Sequence, residues 1–247
     1  AIAEFELIAT TNFSYPQPWY QPEDGFLFLH TRYDGGRDLG VRAIRSLFWS
    51  TSPDGRTWKG PYLLAAIAQG DYQISWCEGR RLATAFDHHP PPLGLNARAN
   101  LYYLETSDFG RTWRTADGRP MTLPLTTPDN PALVFDSRAR GLLVYLKDLA
   151  FDTDGRPVIL FLTSRGFEPG PHNDPRQWTT ARWTGQEWEF RSITTSLNNY
   201  DHGSLYIEPD GTWRVIGPTE PGPQPYNPGG EMAMWISRDR GASWHKL

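Results

Sequence analysis

A glycine and a tryptophan recur in fixed phase along this 247-residue chain, and that phase constrains the fold more than any other feature. Four glycines open short apolar runs: Gly25 in GFLFLH, Gly79 in GRRLATAF, Gly155 in GRPVILFL and Gly211 in GTWRVI. A tryptophan follows each of them, at Trp58, Trp113, Trp188 and Trp244, after 33, 34, 33 and 33 residues. From each tryptophan to the next glycine the chain runs 21, 42 and 23 residues. One unit of roughly 55 residues therefore occurs four times, with an insertion of about 20 residues near 117–139. A unit of that size buries little by itself, so its copies must stack on one another.

The residues around each tryptophan sharpen the reading. Thr106-Ser-Asp108-Phe-Gly110-Arg-Thr112-Trp113 and Ser237-Arg-Asp239-Arg-Gly241-Ala-Ser243-Trp244 share one pattern, S/T-x-D-x-G-x-S/T-W. Ser52-Pro-Asp54-Gly55-Arg-Thr57-Trp58 is the same pattern one residue short, and the third unit keeps only Gly185 and Trp188. The chemistry of this pattern is structural. The aspartate caps backbone N–H groups of a tight turn, the glycine takes positive φ, and the tryptophan packs between units. A carboxylate used up in this way is a poor catalyst.

Each unit reads as four strands, A to D. The A, B and C strands fall near 17–20, 26–32 and 46–51 in the first unit, with D after Trp58. They fall near 72–76, 81–86 and 101–106 in the second, 148–151, 158–163 and 179–183 in the third, and 204–207, 213–218 and 232–237 in the fourth. The expected fold is all-β: a β-propeller of four-stranded antiparallel blades near 13–66, 67–125, 140–195 and 198–247, with 1–247 forming a single domain. Composition agrees. Trp, Tyr and Phe supply 34 residues and Gly and Pro 45, the mark of a rigid, turn-rich chain.

Composition also excludes some functions. The 24 Lys and Arg against 28 Asp and Glu leave a net charge of −4, and no basic block interleaves with aromatics, so no nucleic-acid partner is expected. The longest aliphatic run, 63–68, falls far short of the ~20 residues a spanning helix needs. A single cysteine, Cys77, leaves no disulfide framework and no cysteine zinc site. No metal site and no cofactor are expected, a structural calcium being left open. The chain opens on Ala1 without an apolar leader, which reads as a processed chain or a piece of a longer one; either would suit a secreted or periplasmic protein.

The strand plan sorts the connections onto two faces. Short A–B turns and the Asp-containing C–D turns lie on one face, and the longer B–C and D–A connections lie on the other. Five of the six histidines fall on the long-loop face: His30, His88, His89, His172 and His202. Each candidate has two readings. His88-His89 before Pro90-Pro91-Pro92 is a stiff loop with surface imidazoles or part of a site. Asp201-His202 is a satisfied pair at a strand start or a carboxylate-oriented acid or base. Arg32, Arg98 and Arg165, one from each of three blades, sit in water or clamp a substrate carboxylate. Tyr15, Trp19, Tyr72 and Tyr226 fill the channel rim or stack on sugar rings, and Asn96 shares the Arg98 loop. Glu220 and Glu231 are loop carboxylates or an acid/base pair.

These residues, with FSYPQPWY (13–20), GLNARANLYYLETSDFGRTW (94–113), LLVYLKDLAFDTDGRPVIL (142–160) and NNYDHGSLYIEPDGTWR (198–214), resemble the Asp-box or BNR-repeat β-propellers, a neuraminidase-like group. The resemblance covers essentially the whole chain. It implies a ring of commonly six or seven blades, with residues 1–12 as the outer strand of a neighbouring blade. The other arrangement is a closed four-bladed ring in which residues 4–8 supply the missing outer strand. It also implies a carbohydrate-active protein. The Arg-Ile-Pro of sialidases is absent, which counts against that activity. Ulvan-type lyases use histidine and tyrosine as base and acid, with arginine or histidine neutralising the uronate. The resemblance thus implies a polysaccharide lyase on acidic glycans. His89 or His202 would be the base, Tyr200 the acid and Arg98 or Arg165 the neutralising group, with Asp201 beside His202. A glycoside hydrolase using Glu220, Glu231 or Asp201 and a non-catalytic glycan-binding propeller are the alternatives.

Overall fold

The computed structural model of the chain describes residues 13–33 and 45–247. Sixteen strands form four four-stranded antiparallel sheets, each ordered as the chain runs. Blade one comprises β1 (Phe13–Gln21), β2 (Gly25–Arg32), β3 (Ser46–Ser52) and β4 (Lys59–Ala65). Blade two has β5 (Gln73–Glu78), β6 (Arg81–His88), β7 (Ala99–Thr106) and β8 (Leu133–Phe135). Blade three has β9 (Leu143–Phe151), β10 (Pro157–Ser164), β11 (Arg176–Trp183) and β12 (Trp188–Ser196). Blade four has β13 (Ser204–Ile207), β14 (Trp213–Glu220), β15 (Glu231–Ser237) and β16 (His245–Lys246). The all-β propeller architecture expected from the repeat is the one observed, and residues 1–12, expected as the outer strand of a neighbouring blade or, through 4–8, as a closing strand, lie outside the described residues.

Stacking of blades supplies the core. Leu27 and Leu29 of blade one meet Leu82, Phe86 and Tyr102 of blade two. Ala83 and Tyr103 of blade two meet Val144, Ile159 and Phe161 of blade three. Leu160, Leu162 and Trp178 of blade three meet Leu205, Trp213 and Val215 of blade four. Every residue of β10 is buried, because its blade is covered on both faces. Each fully buried Leu or Phe, such as Leu27 or Phe86, contributes roughly 1.5–3 kcal/mol of transfer free energy. Among the described residues, no such core unites blade four with blade one.

The Asp-box turns have the expected chemistry. Asp108 Oδ1 accepts from the Thr112 N–H at 2.9 Å, and Thr106 Oγ1 accepts from the Gly110 N–H at 3.0 Å. Asp239 and Ser237 repeat this pattern with the Ser243 and Gly241 N–H groups at 2.9 and 2.8 Å. In blade one Asp54 accepts from the Arg56 and Thr57 N–H groups, and those backbone bonds hold its carboxyl down at about 2. Trp113 is buried and meets Trp49 of the preceding blade edge-on at 5.7 Å, and Trp188 meets Tyr103 in the same way at 5.5 Å. Trp58 and Trp244 are half-buried instead, against Phe28 and Trp213 of their own blades.

The insertion in blade two has a structural use. After Trp113 the chain makes a small hairpin and crosses to blade one. There Leu125 exchanges backbone hydrogen bonds with Leu64 and Ala66 at 2.9 and 2.8 Å. It returns to form β8 only at Leu133, and on the way it covers the outer edge of blade one.

Candidate functional site

The inner strands β1, β5, β9 and β13 run side by side, so the loop-face ends of all four blades converge. Four tyrosines come together there. Tyr15 sits in a bulge of β1 with φ at 51°, Tyr72 immediately precedes β5, Tyr145 lies on β9, and Tyr200 precedes β13. The loop after β6, with its single 3-10 turn at Gly94–Asn96, brings Arg98 among them. The Arg98 guanidinium carbon lies 4.4 Å from the Tyr72 ring centre, 5.0 Å from Tyr145 and 5.2 Å from Tyr200. Tyr145 meets Tyr200 edge-on at 5.6 Å, and its hydroxyl donates to the Asn96 carbonyl at 3.0 Å. The Asn96 contribution is therefore its backbone.

A second cation, this one buried, extends this array. Arg45 lies over Tyr33, Tyr72 and Tyr15 at 3.9, 4.9 and 5.5 Å, and its guanidinium donates to Ser14 Oγ at 2.6 Å. Lys147, also buried, donates to the Asn199 carbonyl at 2.8 Å. Burial, then Arg98, lowers its ammonium to about 7, with Asp201 opposing. Among the described residues none of Arg45, Arg98 and Lys147 has a carboxylate within 4.0 Å. The floor of the site thus carries basic groups in no close ion pair among the described residues, which suits an anionic ligand.

The two histidines differ in access. His89 is 2 % exposed and T-shaped against Tyr72 at 4.4 Å, and its Nε2 stands 3.6 Å from Asp87 Oδ1. Burial, followed by Arg98 and Arg45, pushes it down to about 3. It lines a cavity of about 190 Å³ together with Arg45 and Tyr33. His202 is exposed, and burial of part of its ring, then Lys147 and Arg98, lowers its pKa. Both imidazoles are neutral at pH 7, but only His202 is open to a ligand. Beneath them lie Asp71 and Asp87, both fully buried. Burial raises Asp87 to about 7, with Arg98 opposing, and also raises Asp71 well above the usual carboxylate range, with the Ile67 N–H opposing and Asp87 adding to the shift.

Other predicted residues lie apart from this cluster. The Asp201 carboxylate accepts from the Asn198 N–H at 3.1 Å and the Gly229 N–H at 2.9 Å, so it ties two loops together rather than orienting His202. Arg165 is exposed, and the buried arginine of that region is Arg176, whose contacts are Asn199, Glu168, Gly170 and Asp174. Arg32 lies over Phe48 at 5.3 Å. Trp19 donates to Ser75 Oγ at 2.8 Å and joins blades one and two. Tyr226 takes positive φ, accepts from Asn198 at its carbonyl and packs near Arg176 at 5.7 Å. Glu220 is ion-paired to Lys246 at 3.1 Å and stands opposite Glu231 on β15. His30 is buried in an aromatic stack between Phe28 and Phe48. Sequence reasoning missed Arg45 and Tyr145. Tyr145 sits inside an apolar strand and reads as core, and Arg45 carries no local signal at all. Among the described residues no three His, Cys, Asp or Glu side chains group to hold a metal ion, and no helix is long and apolar enough to cross a membrane.

Comparison with known proteins fixes the family. A model of the BNR repeat-containing family matches residues 6–196. The chain belongs to that family. A search of curated protein sequences finds no match. Among solved structures, the chain is similar to an ulvan lyase, a polysaccharide lyase bound to -[GlcA(1-4)Rha3S]-, with a TM-score of 0.70 and 17 % identity over 95 % of this chain and 55 % of that one. It is similar to the sialidase of Trypanosoma rangeli bound to the inhibitor DANA, with a TM-score of 0.58 and 12 % identity over 96 % of this chain and 38 % of that one. It is also similar to an α-L-arabinanase of Penicillium chrysogenum complexed with arabinobiose, with a TM-score of 0.53 and 12 % identity over 94 % of this chain and 64 % of that one. The family member described here spans about half the length of the ulvan lyase. At these identities the likeness is one of fold.

Proposed function

We propose that this protein is carbohydrate-active and cleaves uronate-containing glycans by β-elimination. The observation that carries the reading is Arg98, a cation with no carboxylate within 4.0 Å among the described residues, ringed by Tyr72, Tyr145 and Tyr200. An uronate carboxylate placed against that guanidinium has its negative charge offset in a charge-assisted pair, and the C5–H bond becomes more acidic. His202, held neutral and exposed, takes the C5 proton. The electron pair of that bond forms the C4=C5 double bond, the C4–O bond breaks, and the Tyr200 hydroxyl protonates the leaving oxygen. The similarity to a polysaccharide lyase supports this reaction class. Two of the three carboxylates a hydrolase could use are engaged elsewhere: Glu220 is ion-paired and Asp201 is bound to backbone N–H groups, while Glu231 is exposed.

The test is product chemistry. Incubation with a glucuronate–rhamnose glycan should release an unsaturated uronate that absorbs in the ultraviolet. Tyr200→Phe and His202→Ala should each lower turnover by about 10²–10⁴-fold. Reducing ends released without that absorbance would identify a hydrolase. Binding without any product would identify a glycan-binding propeller. Either result overturns the proposal.

A further inference from the structure

A second feature lies on the opposite face of the molecule, away from Arg98. Between blades one and two, the short A–B turn of blade one and the Asp-box turn of blade two border a cleft of about 480 Å³. Its wall is aromatic. Tyr62 is 43 % exposed and leans on Trp49 at 5.2 Å, and Trp49 is backed by the buried Trp113 at 5.7 Å. The exposed ring is therefore the outer member of a stack anchored in the inter-blade core.

The charges around that ring are unequal. Lys59 and Arg111 line the cleft, and among the described residues neither has a carboxylate within 4.0 Å. The two acids beside them, Glu23 and Asp24, are both taken up by Arg80, at 2.5 and 2.6 Å. The cleft therefore offers an exposed aromatic platform with two available cations, and counting Arg80 with its two acids the group carries three positive charges against two negative ones. A pyranose ring presents a flat C–H face to such a platform, and a carboxylate or sulfate on that ring would complete the pairing.

We propose that this cleft is an accessory binding site for a stretch of anionic glycan, separate from the central site. Its ligand class is argued from its own charges. It would hold a long polymer at the back of the propeller while another stretch occupies the loop face, so the gain is one of effective concentration.

The proposal is tested with the central site disabled by Arg98→Ala. The probe is a glucuronate–3-sulforhamnose oligosaccharide, with a neutral arabino-oligosaccharide of equal length as control, and binding is read by calorimetry. The Arg98→Ala protein should keep salt-sensitive binding of the acidic probe over the neutral one. Adding Lys59→Ala and Arg111→Ala should weaken it about tenfold. Tyr62→Ala should weaken it too, and Tyr62→Phe should not. An unchanged melting temperature in each variant shows that the fold is intact. In the parent protein, Lys59→Ala with Arg111→Ala should leave turnover of short oligosaccharides unchanged and raise KM for the polymer. If Arg98→Ala abolishes all binding, or if the cleft variants bind as their parent does, the accessory site is overturned. Failure of the central reading would show separately, as absence of unsaturated product from the parent protein.

Discussion

Gly110→Ala is the sharpest test of how the Asp-box turns knit the blades together. Gly110 has φ at +81°, and a Cβ added there would stand 2.6 Å from Trp49 Nε1 and 2.9 Å from Trp49 Cδ1. Trp49 is backed by the buried Trp113, so a shift away from the new methyl would break that inter-blade contact. Two costs therefore add. Left-handed backbone costs a non-glycine residue about 1–2 kcal/mol, and forcing a methyl into a packed interface costs about 1–3 kcal/mol. The total is about 2–5 kcal/mol. Gly118 is a matched control with the same φ of +81°, and a Cβ there meets nothing within 4 Å. Gly118→Ala should cost only the backbone share. Urea unfolding of the two variants, at unchanged m, should differ by about 1–3 kcal/mol. Melting temperatures should separate by about 2–4 °C for each kcal/mol. In a Trp49→Leu background the excess at Gly110 should vanish. Equal midpoints for Gly110→Ala and Gly118→Ala would refute the wedge between blades.

Two titrations and one turn give further tests. Burial lowers His88 to about 4 from 6.5, so the unfolded chain binds its proton first. That contribution to stability is complete above pH 6.5 and is lost as pH falls toward 4, and His88→Asn should flatten the acid limb of a melting-temperature profile over that window. Parallel profiles would contradict this. Lys147 works at the alkaline side: lowered from 10.5 to about 7, it should make the protein more stable as pH rises from 7 toward 10, and Lys147→Met should remove that rise. Asp108→Ala frees the Thr112 N–H and Thr112 hydroxyl from their acceptor, and chemical denaturation should show a loss of about 1–2 kcal/mol.

The blades were legible in the sequence because the signals that make them are local. In the Asp-box, Thr106, Asp108, Gly110 and Thr112 bond to one another within seven residues, so residue type and spacing carry the geometry. The same holds for the apolar runs of β2, β6, β10 and β14, whose turn glycines fix where each begins. The blade faces were also legible, since short turns and long loops sort themselves by length. The site was not. Arg98 draws its surroundings from Tyr72 before β5, Tyr145 on β9 and Tyr200 before β13, which are brought together only by the stacking of three blades. Charge availability was equally hidden. Asp201 looked like a partner for His202 until backbone N–H groups of Asn198 and Gly229 took its oxygens. Arg98 and Arg165 are alike as loop arginines, and the fold seats only Arg98 among the tyrosines. Sequence determines which turns and strands can form, because those depend on neighbours along the chain. Tertiary structure decides which polar groups remain unpartnered where the blades converge, because that depends on neighbours through space.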